Sequence, residues 1–398
     1  MVESFAGQVR LFVQNAIDIK RFPLQHVMTQ QVYILGASGS SSWSGSDGLW
    51  IHAAKRLTKE YQVCTISPLS QETLAQHGLE PHRHVQLPAL ASKTFVSRLA
   101  LKILGIGLLK RIRPRPQDVV LFSQGSIDTF LDKLYSNWLK RLTCNVVSLT
   151  QLNTENQVYT AKHVEAGREF FSRAYANVFV SQRNLDVAKR QFLFHFDNGH
   201  VIHNAPKFNM NELAWPSDEP IQLACVGRFE AQTKGQLVLL EALSKLTHKS
   251  WRLNFYGSGP DEKLIQKAIQ HYGLADHCKI RGYVNHPKEI WNINHALALF
   301  STMEGFPLVV AEAMLSGRVC VLSDVGGNIE LLEGEQLDLV APAANPKNAV
   351  AALTKLFAMT HNDLWGMGKR NARIARNHRL DQTMVDLCEI IESAMAHA

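Results

Sequence analysis

The chain has 398 residues, of which 46% are hydrophobic and 19% are charged. These values are typical of a globular protein with two or three domains, and they exclude wholesale disorder, collagen-like repeats and coiled coil. Residues 1–205 carry 23 Lys and Arg against 14 Asp and Glu, a net charge of +9, whereas residues 206–398 carry 19 against 21, a net charge of −2. The first half therefore favours an anionic partner.

The apolar residues are not gathered into a membrane-spanning segment. No apolar run reaches 18 residues, and the N-terminus lacks the apolar core of a secretory signal. The six cysteines lie more than 40 residues apart in sequence, which predicts neither a zinc site nor a disulfide framework. We therefore expect a protein of the reducing cytoplasm.

Short apolar strands alternate with amphipathic helices along the chain, a pattern typical of parallel sheets covered by helices. Helices are predicted, for example, at 48–59, 236–246 and 260–272. The predicted strands are 32–36, 62–66, 119–122, 146–149, 177–181, 221–226, 252–256, 279–283, 297–301 and 319–322.

Ten strands are too many for one comfortable sheet, and a proline-containing polar stretch at 205–220 separates two groups of five. The sequence thus predicts an α/β fold with two Rossmann-like domains that face each other across a cleft. The domains are residues 31–205 and 206–380, with an N-terminal extension at 1–30 and a C-terminal helix at 381–398. Ligands of such sheets bind at the carboxyl ends of the strands, so the cleft is the expected site.

A Gly- and Ser-rich loop, residues 36–48, follows the first predicted strand and leads into a helix. Its glycines allow the backbone to approach a phosphate or a sugar. The loop lacks the compact Gly-x-Gly-x-x-Gly form, and no acidic residue ends the second strand, which disfavours a dinucleotide site.

The stretch from Lys93 to Arg115 contains seven basic residues and no acidic ones, interleaved with Leu, Ile, Phe and Val. This composition suits a peripheral contact with an anionic membrane surface, and equally a sheet-covering helix with a solvated basic face. We predict no nucleic-acid partner, because no DNA- or RNA-binding motif accompanies the charge.

Two cations follow the first strand of the second half. Arg228 comes directly after strand 221–226, and Lys234 precedes the next helix. Fixed cations near a helix N-terminus can clamp a diphosphate and stabilise the charge that builds on it as a leaving group. Gly257 lies in another strand-end turn, where it permits close approach of backbone to a ligand. Solvated loop residues are the alternative for the two cations, and a tight turn between strand and helix is the alternative for Gly257.

The most informative segment is 301–314, in which Glu304 lies in the loop after strand 297–301 and Glu312 lies inside the following helix. The amides at the start of that helix suit a phosphate group. Glu312 is flanked by Val309, Val310 and Ala311, so its charge needs a partner or a ligand. One carboxylate can accept a hydrogen bond from a sugar hydroxyl, and the other from a ribose.

Together these segments resemble the retaining, nucleotide-sugar-dependent glycosyltransferases of family 4, the group 1 glycosyltransferases with the GT-B fold. The resemblance is specific over residues 175–335. The residues that carry it are Val226-Gly227-Arg228, Lys234-Gly235, Tyr256-Gly257-Ser258-Gly259-Pro260, Glu304-Gly305-Phe306-Pro307-Leu308, Glu312-Ala313-Met314 and Ser323-Asp324-Val325-Gly326-Gly327.

The resemblance implies roles for these residues. Glu304 would contact the donor sugar near the reacting centre, Glu312 would hold the ribose, and Arg228 and Lys234 would bind the diphosphate. The UDP- or GDP-linked sugar would be moved by front-face displacement with retention, and no metal would be obligatory. The last helix would cross back to the N-terminal domain. Further donor contacts would come from Gly257, Gly305, Phe306, Pro307, Leu308 and Val309, and the diphosphate and acceptor loop would be Gly45, Ser46, Asp47 and Gly48.

Two positions depart from the family pattern. The family often has a His after the strand at 146–149, where this chain has Gln151 and Asn153, and Asn204 precedes Ala205 rather than Gly. The departures concern the sugar and acceptor contacts, and Gln151 or Asn153 would substitute for the His.

The predicted activity is transfer of a hexose-type sugar to a glycan or lipid-linked acceptor of the cell envelope, at the inner face of the membrane. Three alternatives stay open: a nucleotide-sugar-binding protein without transferase activity, a nucleotide-sugar epimerase of the same fold and, less favoured, a dehydrogenase.

Overall fold

The computed structural model describes residues 30–37, 45–89, 95–206, 211–217, 220–247, 250–378 and 382–398. The chain divides into two units. The first contains the residues up to His203 together with those from Gln382 onward, and the second contains residues 204–381. Apart from Gln30, the N-terminal extension expected at 1–30 lies outside the described residues.

The first unit is built on a sheet of seven parallel strands in the order β3-β2-β1-β4-β5-β6-β7. Its central strands are continuous apolar runs and are almost completely buried, as expected for a sheet covered on both faces. The strand order reverses between β1 and β4, and such a switch point forms a crevice at the carboxyl ends. The strands are β1 (Gln31–Ala37), β2 (Gln62–Ser67), β3 (Arg83–Gln86), β4 (Val119–Gln124), β5 (Asn145–Thr150), β6 (Ala176–Phe179) and β7 (Gly199–Val201).

Helices cover both faces of this sheet. Apolar residues of α3 to α6 form one core with the sheet, for example Leu108, Trp138, Phe171 and Phe192. Helices α1 and α14 pack against each other, and α14 also contacts β4 and β5. The helices are α1 (Gly48–Leu57), α2 (Gln71–Gln76), α3 (Phe95–Leu109), α4 (Lys133–Leu139), α5 (Ala161–Arg173), α6 (Gln182–Phe192) and, from the C-terminus of the chain, α14 (Thr383–Ala396).

Hydrogen bonds fix the C-terminal helix to the first unit. The Asn145 side-chain amide donates to the Ala394 carbonyl at 2.8 Å, and the Tyr175 hydroxyl lies 2.7 Å from that of Ser393. The first unit therefore contains two separate parts of the chain, and the second unit lies between them in sequence.

The second unit has a parallel sheet of six strands in the order β10-β9-β8-β11-β12-β13. Apolar side chains of its strands and helices form a separate core, which includes Leu240, Trp251 and Phe255. The elements are β8 (Ile221–Val226), α7 (Ala231–Lys234), α8 (Gln236–Ser244), β9 (Trp251–Tyr256), α9 (Glu262–His271), β10 (Cys278–Gly282), α10 (Pro287–Trp291), β11 (Ala296–Leu299), α11 (Leu308–Leu315), β12 (Val319–Ser323), β13 (Val340–Ala341), α12 (Pro346–Ala358) and α13 (His361–Asn377).

All ten predicted strands are present, each with both ends within two residues of prediction, and the sequence analysis missed β3, β7 and β13. Each missed strand lies at the edge of a sheet. An edge strand can be short and polar because it has one hydrogen-bonded neighbour and less to bury. β3 reads Arg-His-Val-Gln and β13 has two residues, so neither gives the apolar run that identified the others.

Candidate active site

The predicted donor-site residues lie in loops that follow neighbouring strands of the second unit. The sheet order places β9, β8, β11 and β12 side by side, and all four are parallel. Gly257 follows β9, Arg228 follows β8, Glu304 follows β11 and Gly326 follows β12. One edge of the sheet thus carries the strand-end motifs that the sequence identified in this unit, and Glu312-Ala313-Met314 lies in α11.

Glycines let these loops pack backbone against backbone. A Cβ at Gly257 would lie 2.0 Å from the carbonyl oxygen of Gly227, and one at Gly326 would lie 1.9 Å from that of Glu304. A Cβ at Gly235 would lie 1.8 Å from the backbone that follows β11. All three glycines also have φ between +51° and +136°, a region that residues with a Cβ rarely adopt. The glycine pattern therefore reflects the close approach of four loops.

Lys234 and Glu304 form an ion pair at this edge. The Lys234 Nζ lies 2.7 Å from the Glu304 Oε1, and the two side chains are 26% and 8% exposed. The Ser301 hydroxyl donates to the same oxygen at 2.7 Å, and the Ser323 hydroxyl donates to the Ser301 carbonyl at 2.6 Å. Among the residues described, none donates to Glu304 Oε2. One carboxylate oxygen is held in place, and the other can accept a hydrogen bond from a ligand.

Arg228 has a different partner. Its Nε lies 2.8 Å from the Glu230 Oε1, and the Arg228 side chain is 59% exposed. The Gln236 amide fixes the Arg228 carbonyl at 2.9 Å, and the Lys234 Cδ lies 3.8 Å from where a Cβ on Gly227 would be. Both cations therefore lie in the connection between β8 and α8, with Lys234 the last residue of α7, although each holds its own carboxylate.

Sequence reasoning missed two residues of this arrangement, Glu230 and Ser301. Glu230 is two positions after Arg228, and Ser301 is three positions before Glu304. These short spacings were the available signals, since residues so close in a loop can reach a common ligand or each other.

Glu312 lies in the middle of α11 and is largely buried. Its carboxylate makes no ion pair or hydrogen bond with any residue in the described part of the chain. Burial raises the pKa of this carboxyl to about 7 because no charged neighbour offsets the loss of solvation. The sequence predicted a buried charge that requires a ligand, and the structure supplies no protein partner for it.

The segment between the two glutamates leads into α11. Pro307 is the N-cap residue of the helix, and the carbonyl of Gly305 accepts from the Gly327 amide at 2.7 Å. The amides of the first turn have no partner within the helix, and the helix dipole makes this end attractive to anions. The predicted backbone contacts lie here: Gly305, Phe306, Pro307, Leu308 and Val309.

The predicted loop Gly45, Ser46, Asp47 and Gly48 belongs to the first unit. Residues 45–47 form a short 3-10 turn that leads directly into α1. The Asp47 side chain is buried and accepts a hydrogen bond from the Trp50 indole at 3.1 Å. A Cβ at Gly48 would meet no atom within 4 Å. Asp47 therefore stabilises the start of α1, and the rest of the predicted loop, 38–44, lies outside the described residues.

The two residues expected to replace the family's His follow β5. Both Gln151 and Asn153 are buried, and the Asn153 side-chain amide donates to the Asn184 carbonyl at 3.3 Å. The Gln151 backbone amide donates to the Gln124 carbonyl at 3.1 Å. Both positions thus support the loops at the carboxyl ends of β4 and β5.

Within the described ranges, no group of three or more His, Cys, Asp and Glu side chains is arranged to hold a metal ion. None of the helices in those ranges combines the length and the hydropathy needed to cross a bilayer.

Part of the chain is similar to known glycosyltransferases. Residues 207–379 match the family of "Glycosyl transferases group 1". A lipopolysaccharide 1,6-galactosyltransferase of Salmonella typhimurium is 32% identical over 114 residues, which are 27% of this chain and 31% of the relative. A putative colanic acid biosynthesis glycosyltransferase of Escherichia coli is 24% identical over 177 residues, which are 42% of this chain and 43% of the relative. The chain thus matches less than half the length of these relatives.

Solved structures match a larger part of the chain. A sucrose-phosphate synthase of Thermosynechococcus elongatus has a TM-score of 0.73 at 16% identity, over 93% of this chain and 100% of that one. An Anabaena protein in complex with UDP and glucose has a TM-score of 0.70 at 15% identity, over 92% and 100%. The predicted α/β fold class is thereby confirmed: the chain has the GT-B fold, and its residues 207–379 match the group 1 glycosyltransferase family.

Proposed function

We propose that this protein transfers a sugar from a nucleoside diphosphate donor to an acceptor. The observation that carries the proposal is the Lys234–Glu304 pair, 2.7 Å apart at the strand edge of the unit that matches the group 1 family. A partly buried ammonium and a carboxylate with one free oxygen together provide what a sugar diphosphate needs, a cation for the phosphates and an acceptor for a hydroxyl.

The other residues of the edge complete the donor site. Arg228 is exposed and leaves Glu230 to bind the diphosphate, since a surface ion pair contributes little stability. The start of α11 adds backbone amides. Glu304 Oε2 accepts a hydroxyl of the donor sugar, and Glu312 accepts the ribose hydroxyls.

The reaction we propose is a front-face displacement. The bond between the anomeric carbon and the diphosphate oxygen breaks, and the acceptor oxygen bonds to that carbon on the same face, so the configuration is retained. The acceptor proton passes to the departing diphosphate. Lys234 and Arg228 stabilise the negative charge that grows on this leaving group, which is where fixed charges accelerate a reaction most.

The relatives suggest the substrate classes. The names of the two bacterial relatives concern lipopolysaccharide and colanic acid, and one structural neighbour is a complex with UDP and glucose. We propose a UDP-linked hexose as donor and a glycan or lipid-linked acceptor of the cell envelope, bound by the first unit. The contribution of Gly45, Ser46 and Gly48 to the diphosphate and acceptor stays a prediction.

A donor screen tests the proposal. A UDP-hexose at ten times its Kd is expected to stabilise the protein by about 1.4 kcal/mol, a rise in Tm of about 4 °C in differential scanning fluorimetry. Lys234→Met should reduce the rise at the same donor concentration, and Lys245→Met, which removes an exposed lysine paired with Glu241, should keep it. GDP-mannose serves as the comparison donor.

Transfer is then followed with the best donor and a membrane-glycan extract. The anomeric proton coupling of the product, measured by NMR, reports retention. Binding without product would favour a nucleotide-sugar-binding protein, and interconversion of the donor without acceptor would favour an epimerase.

We also propose that the first unit contacts an anionic membrane surface through α3. Leu99 and Ile103, one turn apart on this helix, are 48% and 60% exposed. Lys110, Arg111 and Arg113 follow at its C-terminal end and are exposed. Apolar side chains beside a cluster of cations are typical of helices that lie in the membrane interface. Lys93 lies outside the described residues, and Arg115 pairs with Asp118 at 3.0 Å.

Vesicle sedimentation tests the membrane contact. Reversing Lys110, Arg111 and Arg113 to Glu is expected to lower binding to vesicles with 30% phosphatidylserine at least tenfold, since each basic residue contributes about 1 kcal/mol at such a surface. The matched control reverses three exposed lysines of the second unit and should keep binding: Lys263, Lys267 and Lys279. Equal losses in both triple variants would contradict an orientation set by α3.

A further inference from the structure

A groove of about 320 Å³ lies between α4 and α5 of the first unit. Its walls include none of the residues assigned above to the donor or acceptor. Phe130 and Phe170, stacked with ring centroids 4.7 Å apart, form part of its apolar lining. The rest of that lining is aliphatic or small: Leu131, Leu139, Leu142, Cys144, Val146, Ala166 and Ala174. A concave apolar surface of this size is typical of a ligand site.

Basic side chains line the rim of this groove. They are Lys133, Lys140, Lys162 and Arg173, with His163 beside Lys162 and one acidic residue, Glu169. Each of the four cations is exposed, and none forms an ion pair with a residue in the described part of the chain. Four positive charges against one negative charge around an apolar floor favour a ligand that is apolar along its length and anionic at its head.

The helix directions place these charges at two ends. α4 and α5 both follow strands of a parallel sheet, so Lys133 and Lys162 lie where the helices begin, and Lys140 and Arg173 lie where they end. An anion is more stable at the beginning of α5, where the dipole is positive, than at its end. Cations at the far end are instead stabilised by the negative end of the helix dipole.

We infer that this groove binds a membrane amphiphile, a single acyl or prenyl chain along α4 and α5 with its phosphate between Lys133 and Lys162. The neighbouring helix argues for a lipid rather than free phosphate. α3 packs on α4, with Lys102 paired to Asp132 at 2.7 Å, and it carries the exposed Leu99 and Ile103. To this extent the inference rests on the proposed membrane contact.

Dodecyl phosphate below its micellar concentration is the probe, and isothermal titration calorimetry is the measurement. We expect dodecyl phosphate to bind at least tenfold more tightly than dodecyl maltoside and at least a hundredfold more tightly than inorganic phosphate. Equal affinity for the maltoside would overturn the inference, because the basic rim would then have no role. Binding of inorganic phosphate as tight as that of dodecyl phosphate would overturn the apolar part of the site.

Variants locate the site. Ala166→Trp fills the groove and is expected to lower affinity at least tenfold, whereas Ser172→Trp, on the same helix but outside the groove, should not. The pair Lys133→Met and Lys162→Met should lower affinity about tenfold, and the pair Lys140→Met and Arg173→Met less than threefold. Unchanged affinity in Ala166→Trp, or equal losses in both charge pairs, would contradict the placement.

Two measurements keep these outcomes separate from other failures. Circular dichroism and Tm show whether Ala166→Trp folds, and the charge variants decide the question if it does not. The donor-induced rise in Tm, measured on the same variants, is expected to stay unchanged. A protein that gains stability from the donor but ignores dodecyl phosphate would refute this inference alone.

Discussion

Replacing Lys234 by Met is expected to lower the kcat of sugar transfer by about 10²- to 10³-fold, as removal of a fixed group that stabilises transition-state charge does elsewhere. Met keeps the length and apolar stem of the side chain but removes the ammonium that lies 2.7 Å from Glu304. The diphosphate then leaves without its nearest fixed cation. The rate is measured with saturating donor and acceptor, so that weaker donor binding does not enter.

A double-mutant cycle shows whether Lys234 and Glu304 act as one unit. Glu304→Gln keeps the shape and an acceptor oxygen but removes the charge that orients Lys234. Because each residue holds the other, we expect the double variant to lose less than the product of the two single losses. The control pair is Lys245→Met with Glu241→Gln, an ion pair of 2.6 Å on α8 with 53% and 35% exposed side chains. Its removal should leave kcat within twofold. If the kcat of the double variant falls by the full product of the two single losses, the two residues act independently and their ion pair has no role in catalysis.

The fold could be predicted from sequence because both sheets are parallel. Strands buried on both faces must be continuous apolar runs, and such runs are visible without knowledge of their neighbours. The predicted strand 221–226 coincides with β8, and 252–256 lies within β9. The same rule explains the failures, since β7 and β13 have three and two residues at sheet edges.

The sequence predicted which residues of the site follow strand ends, but not which partners their side chains contact. The expectation that Arg228, Lys234 and Glu304 follow strands of one sheet depends on the alternation of strands and helices alone. The partner of each charge depends on loop geometry, which glycines at positive φ determine through contacts between loops. The ion pairs of Lys234 with Glu304 and of Arg228 with Glu230 therefore could not be predicted from sequence. The sequence also could not show that Asp47 is buried against Trp50.

Glu312→Gln is expected to stabilise the unliganded protein above pH 7 by about 3 kcal/mol relative to the wild type. The pKa of this carboxyl is about 7 in the native state, against an ordinary value of 4.5. Between these values the unfolded chain ionises while the native carboxyl stays protonated, so stability falls as pH rises from about 4.5 to 7. The loss is complete above pH 7, since each pKa unit corresponds to about 1.4 kcal/mol. Gln carries no proton to lose, and urea unfolding at pH 4, 6 and 8 measures the difference.

The same carboxyl couples the donor to pH in the opposite direction. If its ionised form accepts the ribose hydroxyls, the wild type should bind the donor about tenfold more weakly at pH 6 than at pH 8, because only about a tenth of the carboxyl is ionised at pH 6. Glu312→Gln should bind more weakly at pH 8 and lose this dependence. Glu335→Gln, which changes a glutamate with a 72% exposed side chain, should match the wild type in both measurements. If Glu312→Gln instead keeps the wild-type pH profiles of stability and donor affinity, both claims are contradicted. Burial would then not raise the pKa of this carboxyl, and the carboxylate would not bind the ribose hydroxyls.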